Sequence, residues 1–274
     1  MYSEQEKRFN WMNKKTLAGR AKEHTEQMAL LFRDEIEDCV AHTKEYDNAR
    51  VKQQLLNTVS NGRSKITVTD EDTVSALFRL KEEDVKDTGG KSKIAVVNFA
   101  SFRNPGGMFI EGSRAQEECL CHSSFLFNVL SRKQEFYDTN IERYVNNNLY
   151  VNRGLYTENV RFFSDNGTYR ADVITCAAPN WTAAQKRRIP PQDNSKALLE
   201  RIKFVLYLAQ LNDVKILVFG AFGCGVFGQD ASEVAQDLLY INYKHFFGLN
   251  QIVCAIPNTG NENHNKFKEI LQKD

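Results

Sequence analysis

Two adjacent carboxylates, Glu117 and Glu118, close a stretch that begins at Asn98 and passes through a glycine-rich turn: Asn98-Phe-Ala-Ser-Phe-Arg-Asn-Pro-Gly-Gly-Met-Phe-Ile-Glu-Gly-Ser-Arg-Ala-Gln-Glu-Glu118. A Gly loop beside two carboxyl groups is what glycosidic cleavage needs. One group places the sugar, and the other protonates the leaving oxygen and then activates water. Gly106, Gly107 and Gly112 allow a close ligand approach that a side chain would block. A plainer account is also open. Ser113 and Gln116 have capping-box spacing, which would set both glutamates in the first turns of a helix running to about Leu130, where acidic groups complement the helix dipole. That dipole favours the ionised form, so an acid role requires burial or the neighbouring carboxylate to raise the pKa.

A second glycine loop, Gly220-Ala-Phe-Gly-Cys-Gly-Val-Phe-Gly-Gln-Asp230, contains Gly223, Gly225 and Gly228 in G-x-G-x-x-G order. The dinucleotide-oxidoreductase reading fails, because no acidic residue lies about 20 positions downstream to hold a ribose and too little chain remains for a Rossmann domain. The physics of the loop survives: backbone amides at the start of a helix form an anion cradle suited to a diphosphate. Phe222 and Phe227 offer aromatic faces for a ribose or base, or else belong to the core. Ala177-Ala-Pro-Asn-Trp181 and Ile256-Pro-Asn-Thr-Gly-Asn-Glu262 follow strands in the same way; the first is placed to border the cleft, and the second to contact a nucleobase or ribose or simply to form a turn.

Other chemistries lack their signatures. There is no Gly-x-Ser-x-Gly elbow, P-loop lysine or His-Glu-x-x-His motif. The six cysteines form no CxxC pair and read as reduced, buried thiols. Cys119-x-Cys121 beside His122 lacks the spacing and fourth ligand of a zinc site, so no metal is expected. His122 and His264 read as structural. The 36 basic and 35 acidic side chains nearly cancel, so no whole-protein field attracts a polyanion. Only a local patch such as Lys186-Arg187-Arg188 would do so, and that run reads first as a solvated loop. With no apolar leader and no span of about 18 apolar residues, an intracellular protein, cytoplasmic or nuclear, without membrane contact is expected.

Several elements must position these loops. Residues 94–100 form an apolar run between turn signals, as expected of a strand buried on both faces. Similar strands are expected at 172–178, 214–219 and 251–256, with shorter candidates at 66–69 and 159–163 and a turn at 61–65. Residues 195–211 and 230–247 carry helical stripes, the second opened by a capping box of Asp230 and Glu233. Apolar residues at helical spacing across the first fifty positions (Leu17, Ala21, Met28, Leu31, Phe32, Ile36, Val40) predict an amphipathic helical region. The expected architecture is α/β, a three-layer α/β/α sandwich with a mixed central sheet. Residues 1–60 form a helical extension packed on a core of 61–274, in one continuous domain.

Taken together, Asn98-Phe-Ala-Ser, Asn104-Pro-Gly-Gly, Ala115-Gln-Glu-Glu118, Ala177-Ala-Pro-Asn180 and Gly220 to Gly228 resemble the microbial-type poly(ADP-ribose) glycohydrolases, from about Lys14 to the C-terminal helix. That resemblance implies a macrodomain core behind an N-terminal helical extension. It implies hydrolysis of the ribose–ribose O-glycosidic bond, mainly from the chain end, releasing ADP-ribose with no metal and no cofactor. It further implies that Glu118 is the acid/base, that Glu117 binds the ribose and that Asn98 helps hold the distal ribose. The ligand contacts then expected are Gly106, Gly107 and Gln116 on the first loop and Gly223, Cys224, Gly225, Val226 and Phe227 around the diphosphate.

The family signature of three glycines, six to eight residues and Gln-Glu-Glu is kept in spacing, but Met108 stands in the third glycine position. A residue held to negative φ at that point is expected to tilt the loop or crowd the scissile sugar. Two alternatives to the glycohydrolase follow: a catalytically silent reader of ADP-ribose, and a hydrolase of mono-ADP-ribose on protein or nucleic acid. The expected partners are ADP-ribose and ADP-ribosylated proteins, with nucleic acid only as an ADP-ribosylated substrate, and the expected state is a monomer.

Overall fold

The computed structural model describes residues 13–55, 62–165, 167–245 and 247–272. Chain order runs α1 (Lys14–Leu31), α2 (Arg33–His42), β1 (Lys44–Asp47), α3 (Asn48–Leu55), β2 (Lys65–Thr69), α4 (Thr73–Thr88), β3 (Ile94–Phe99), α5 (Gln116–His122), α6 (Leu126–Leu130) and α7 (Gln134–Arg143). It continues β4 (Arg153–Ser164), β5 (Gly167–Cys176), α8 (Trp181–Gln185), α9 (Pro191–Leu211), β6 (Ile216–Val218), α10 (Ala231–Lys244), β7 (Gln251–Ala255) and α11 (Asn263–Leu271).

The seven strands form one mixed sheet in the order β1-β4-β5-β3-β6-β7-β2. β5, β3, β6, β7 and β2 are mutually parallel, while β4 runs antiparallel to both β5 and β1. Strand β3 lies at the centre and shows why an uninterrupted apolar run was needed there. Its Ala95 and Val97 enter the core under α9 and α10, and Ile94 and Val96 enter the core under α4, α5 and α6. Each fully buried Val, Leu or Phe in these layers stabilises the fold by about 1.5–3 kcal/mol. The parallel strands end on one side, where the crevice of such a sheet opens. Among the described residues, no helix is long and apolar enough to cross a membrane.

The N-terminal region differs from its expected all-helical form. Residues Lys44–Asp47 pair with β4 as an edge strand, Lys44 opposite Tyr156 and Tyr46 opposite Gly154. Helices α1 and α2 bury Leu17, Ala21, Met28, Ile36 and Cys39, several of them in the same core as β3. The expected boundary between positions 60 and 61, and Asn61 of the expected turn, lie outside the described residues. Two other helices change extent. Helix α9 begins at Pro191 rather than at Ser195, because proline is well suited to a first helical turn. Helix α10 stops at Lys244, and Asp230 caps it by accepting from the N–H groups of Ser232 and Glu233. Residues 159–163 belong to the longer β4, with a bulge near Asn159, whose φ is +60°.

Helix α1 also bears directly on the first glycine loop. Gly112 has φ +80°, and a Cβ there would run into the Lys14 carbonyl oxygen and come within 2.8 Å of the Ala18 nitrogen. Backbone therefore packs on backbone at this point. We expect Gly112→Ala to lower unfolding free energy by roughly 2–4 kcal/mol through strained φ and overpacking. Hydrogen exchange in α1 should accelerate with it. Unchanged denaturation and α1 protection would contradict this account of the contact.

Candidate active site

Gln116, Glu117 and Glu118 form the first turn of α5, which the intervening glycine loop brings back against the end of β3. Their positioning differs from a capping box. Ala115 is the N-cap and makes no side-chain cap bond, and α5 ends at His122 instead of reaching Leu130. Gln116 turns back to the sheet. Its Oε1 accepts from Phe99 N–H (2.9 Å), and its Nε2 donates to the Val97 carbonyl (2.8 Å) and to Thr73 Oγ1 (3.2 Å). This side chain pins the start of α5 to the end of β3, so the two glutamates next in sequence are held over the carboxyl edge of the sheet.

Glu117 is buried, 3% exposed. Its Oε2 accepts from Ser101 N–H (2.7 Å), its Oε1 accepts from Asn98 Nδ2 (3.1 Å), and Gly106 N–H also points at it. Burial raises its pKa from 4.5 to about 8, outweighing those donors, which lower it; the Glu118 charge adds a smaller upward contribution. Glu118 is 5% exposed and differently supported. Its Oε1 accepts from Met108 N–H (2.9 Å), whereas its Oε2 is buried without a partner. One carboxyl is thus locked among donors, and the other keeps an oxygen uncommitted.

The turn that supplies these donors depends on Gly107. Its φ is +62°, and a Cβ there would stand 2.5 Å from Glu118 Oε1 and 2.9 Å from Glu117 Oε2. Gly106 is likewise left-handed and buried, with Phe127 and Cys121 behind it. Met108 does not adopt positive φ, and its N–H still reaches Glu118. Its side chain, 42% exposed, lies along the cleft. The donor to Glu118 is thus kept with methionine at this position, and the thioether occupies cleft wall.

A cleft of about 700 Å³ brings the two glycine loops together, with Glu117, Glu118, Gly107 and Met108 on one side and Gly223, Gly225, Val226 and Phe227 on the other. That volume lies within the range of small-molecule sites. The N–H groups of Gly223, Gly225, Val226 and Phe227 donate to no acceptor among the described residues, while Cys224 N–H is used by the Ala221 carbonyl and Gly228 N–H by that of Gly225. Such a set of free amides suits an anion. Cys224 is half-buried, and burial pushes its thiol up to about 12, so it stays neutral beside an anion. Of the two loop aromatics, Phe222 is core, packed edge-on against Phe99 at 5.6 Å, and Phe227 faces the cleft.

Asn98 is fully buried beneath Glu117 and also lies within 3.4 Å of Thr175 Oγ1, with its own Oδ1 unpartnered. It is placed to orient Glu117. Beside the main cleft, and sharing Phe99, Arg114, Gln116 and Ala221 with it, lies a second cavity of about 210 Å³ lined by Ile256, Pro257, Thr259 and Asn261 of the last post-strand segment. From the Ala177–Trp181 segment, Ala178 lines the main cleft and Asn180 caps α8.

Several contributors carry no local sequence signal. Ser101 offers its N–H to Glu117 and its Oγ to the N–H groups of Arg103 and Asn104, shaping the turn. Its place just after a strand is the one hint. Tyr150 stacks on Phe102 (4.1 Å, 7°) and meets Phe227 edge-on at 6.2 Å, extending the aromatic wall. Tyr150 is held by the buried Arg201, whose guanidinium donates to the carbonyls of Ala177, Leu149 and Tyr150 and to Asn152 Oδ1. These contacts span about fifty residues of sequence and follow from the fold alone.

Because Glu117 keeps its proton in the folded chain up to about pH 8 but releases it near 4.5 when unfolded, unfolding releases a proton throughout that window. The folded state binds more protons there, so stability is highest at the acid end and falls as pH rises from about 5 to 8, by a few kcal/mol in order of magnitude. In Glu117→Gln that decline should flatten, as read from chemical denaturation at several pH values. Parallel pH slopes in the two proteins would contradict the shift.

Comparison with known proteins bears on the family and the fold. Residues 14–165 match the family model described as microbial-type PARG, catalytic domain. The chain is similar to the poly(ADP-ribose) glycohydrolase of Thermomonospora curvata bound to the inhibitor ADP-HPD, at 27% identity, TM-score 0.79, covering 93% of this chain and 98% of that one. It is also similar to the Deinococcus radiodurans enzyme in complex with ADP-ribose, at 28% identity, TM-score 0.76, covering 86% and 97%. No curated protein matches in sequence.

Proposed function

The chain belongs to the microbial-type poly(ADP-ribose) glycohydrolase catalytic-domain family, and on that premise we propose how its own residues carry out the reaction. It is a glycosidic hydrolase that cleaves poly(ADP-ribose) and releases ADP-ribose. The observation that carries the residue assignment is the asymmetry of the carboxyl pair: Glu117 is fully committed to donors, and Glu118 has one buried oxygen without a partner beside the cleft.

Glu118 is the acid and then the base. It protonates the departing ribose oxygen as oxocarbenium character develops, and it takes a proton from the water that completes hydrolysis. Glu117, held by Ser101 and Asn98 and pushed towards its neutral form by burial, positions a ribose hydroxyl. Gly106 and Gly107 admit the sugar against both carboxyls. The free amides of Gly223, Gly225, Val226 and Phe227 take the diphosphate with Cys224 in the loop, and Phe227 packs on the adjoining ribose. The adjacent cavity at Ile256 and Asn261 suits the adenosine end. Gln116 contributes by holding β3 to α5. The partners on this reading are ADP-ribose and ADP-ribosylated proteins. Met108 does not favour the silent-reader alternative, because its backbone makes the contact with Glu118 that the turn requires.

The test is release of free ADP-ribose from a poly(ADP-ribosyl)ated protein. We expect turnover by the wild type and a loss of roughly 10²–10⁴-fold in Glu118→Gln. ADP-ribose binding should persist in the variant. Met108→Gly is expected to change turnover by less than about tenfold, since the donor to Glu118 is backbone. Wild-type rates in Glu118→Gln would remove the assignment. Activity that appears only in Met108→Gly would convert the protein into a reader.

A further inference from the structure

One cationic feature of the chain is not used by the cleft chemistry. Lys186, Arg187 and Arg188 are consecutive and exposed, and among the described residues none of them is in an ion pair. They follow α8, and α8 is anchored to the phosphate loop. Thr182 N–H donates to the Phe227 carbonyl (3.1 Å), and the helix is capped by Asn180, whose side chain accepts from Ala183 N–H (3.0 Å). With a rise of 1.5 Å per residue, Lys186 lies about 6 Å along the helix axis from Thr182. The run therefore begins about one helical turn from a residue bonded to the cleft's second glycine loop.

The end of α8 is ordered in a way that keeps these side chains outward. Arg187 and Arg188 donate their N–H groups to the carbonyls of Ala184 and Gln185, and Ile189 N–H returns to Ala184. Arg188 itself is left-handed, φ +57°, in a helix-terminating position where glycine is the favoured residue. The chain carries a cation there in spite of that preference. A fourth cation, Arg103, sits on the loop whose Ser101 holds Glu117. Its guanidinium approaches Asn148 Oδ1 (3.5 Å), and the Asn148 carbonyl accepts from Asn180 N–H (2.8 Å). A continuous series of contacts thus joins the rim of the carboxyl pair to the start of α8 and on to the basic run. The net charge of the whole chain is only +1, so attraction to a polyanion on this face comes from the local group and not from a general field.

We propose that Lys186, Arg187 and Arg188, with Arg103 leading to them, form a docking track for the diphosphates of polymer units beyond the one seated in the cleft. This rests on the glycohydrolase reading above. Each ADP-ribose unit brings two phosphates, whereas the cleft's amide cradle accommodates one diphosphate. The track therefore adds affinity for polymer over monomer, and it adds salt dependence, because each phosphate it neutralises releases condensed counterions.

The experiment uses the full chain carrying Glu118→Gln, so that bound polymer survives, with and without the triple change Lys186→Gln, Arg187→Gln, Arg188→Gln. Affinity for a labelled poly(ADP-ribose) of defined length and for ADP-ribose monomer is measured at several salt concentrations. The expected result is a loss of roughly tenfold or more in polymer affinity at low salt and a slope of log affinity against log salt shallower by about 2, at about 0.7 per cation. Monomer affinity should be unchanged, which also shows that the variant is folded. Restoring charge as three lysines should recover the polymer affinity. Unchanged polymer affinity and salt slope would overturn the proposal, and so would an equal loss for monomer. Loss of affinity only for a single-stranded DNA of matched charge would overturn it too and assign the run to nucleic acid. Failure of the wild type to release ADP-ribose would instead count against the catalytic reading, and the affinities for polymer and monomer would still decide whether the run binds polymer.

Discussion

Two adjacent carboxyl groups can be buried at the edge of a sheet only where backbone donors meet them and no side chain stands in between. In this chain the tight turn at Gly106, Gly107 and Met108 meets both conditions. It brings N–H groups to Glu117 and Glu118, and it does so at a spacing that leaves no room for a Cβ on Gly107. Burial then separates the two groups chemically. Glu117, surrounded by Ser101, Asn98 and Gly106, still has its proton affinity raised because desolvation dominates, while Glu118 retains an oxygen that nothing in the described chain engages. A pair with distinct environments is a recurring basis for dividing positioning from proton transfer between like residues.

The rest of the architecture serves that turn. The central strand β3 delivers Asn98 beneath Glu117 and, through Gln116, fixes the helix that carries both glutamates. The N-terminal helix α1 packs its backbone against Gly112, so the far side of the same loop is closed by a segment distant in sequence. Opposite, the second glycine loop is held against α8 and the Tyr150 wall, and Arg201 secures that wall through carbonyls of segments about fifty residues away. Removing the guanidinium would leave several buried carbonyls unpaired, and this explains why a cation is kept where apolar packing would otherwise be favoured.

How much of this was legible in the sequence depends on whether the information was local. β3 and the two glycine loops were readable because an apolar run between turn signals, followed by glycines and acidic residues, has few other physical solutions. The edge strand Lys44–Asp47 was not, since four residues with three charges show no strand periodicity and gain their structure from pairing with β4. The early end of α5 was hidden for a related reason: the Ser123 carbonyl accepts from Phe163 N–H (2.7 Å), and Ser124 bridges to Phe162, so β4 takes the chain out of the helix. Ser113 and Gln116 had the spacing of a capping box, but the backbone of β3 offered Gln116 two partners and the Thr73 hydroxyl a third, and together they took the side chain. The anion loop and the Gln-Glu-Glu segment were found from pattern; Ser101, Tyr150 and Arg201 required the fold.

The measurement closest to the central claim is the turnover of Gly107→Ala on poly(ADP-ribosyl)ated protein, taken together with its unfolding midpoint. A methyl at this position would lie 2.5 Å from Glu118 Oε1 and 2.9 Å from Glu117 Oε2 on a backbone of φ +62°. The account predicts a folded protein whose kcat falls by about 100-fold or more as the carboxyl pair is displaced from the turn. A folded Gly107→Ala protein that turns over at the wild-type rate would contradict it.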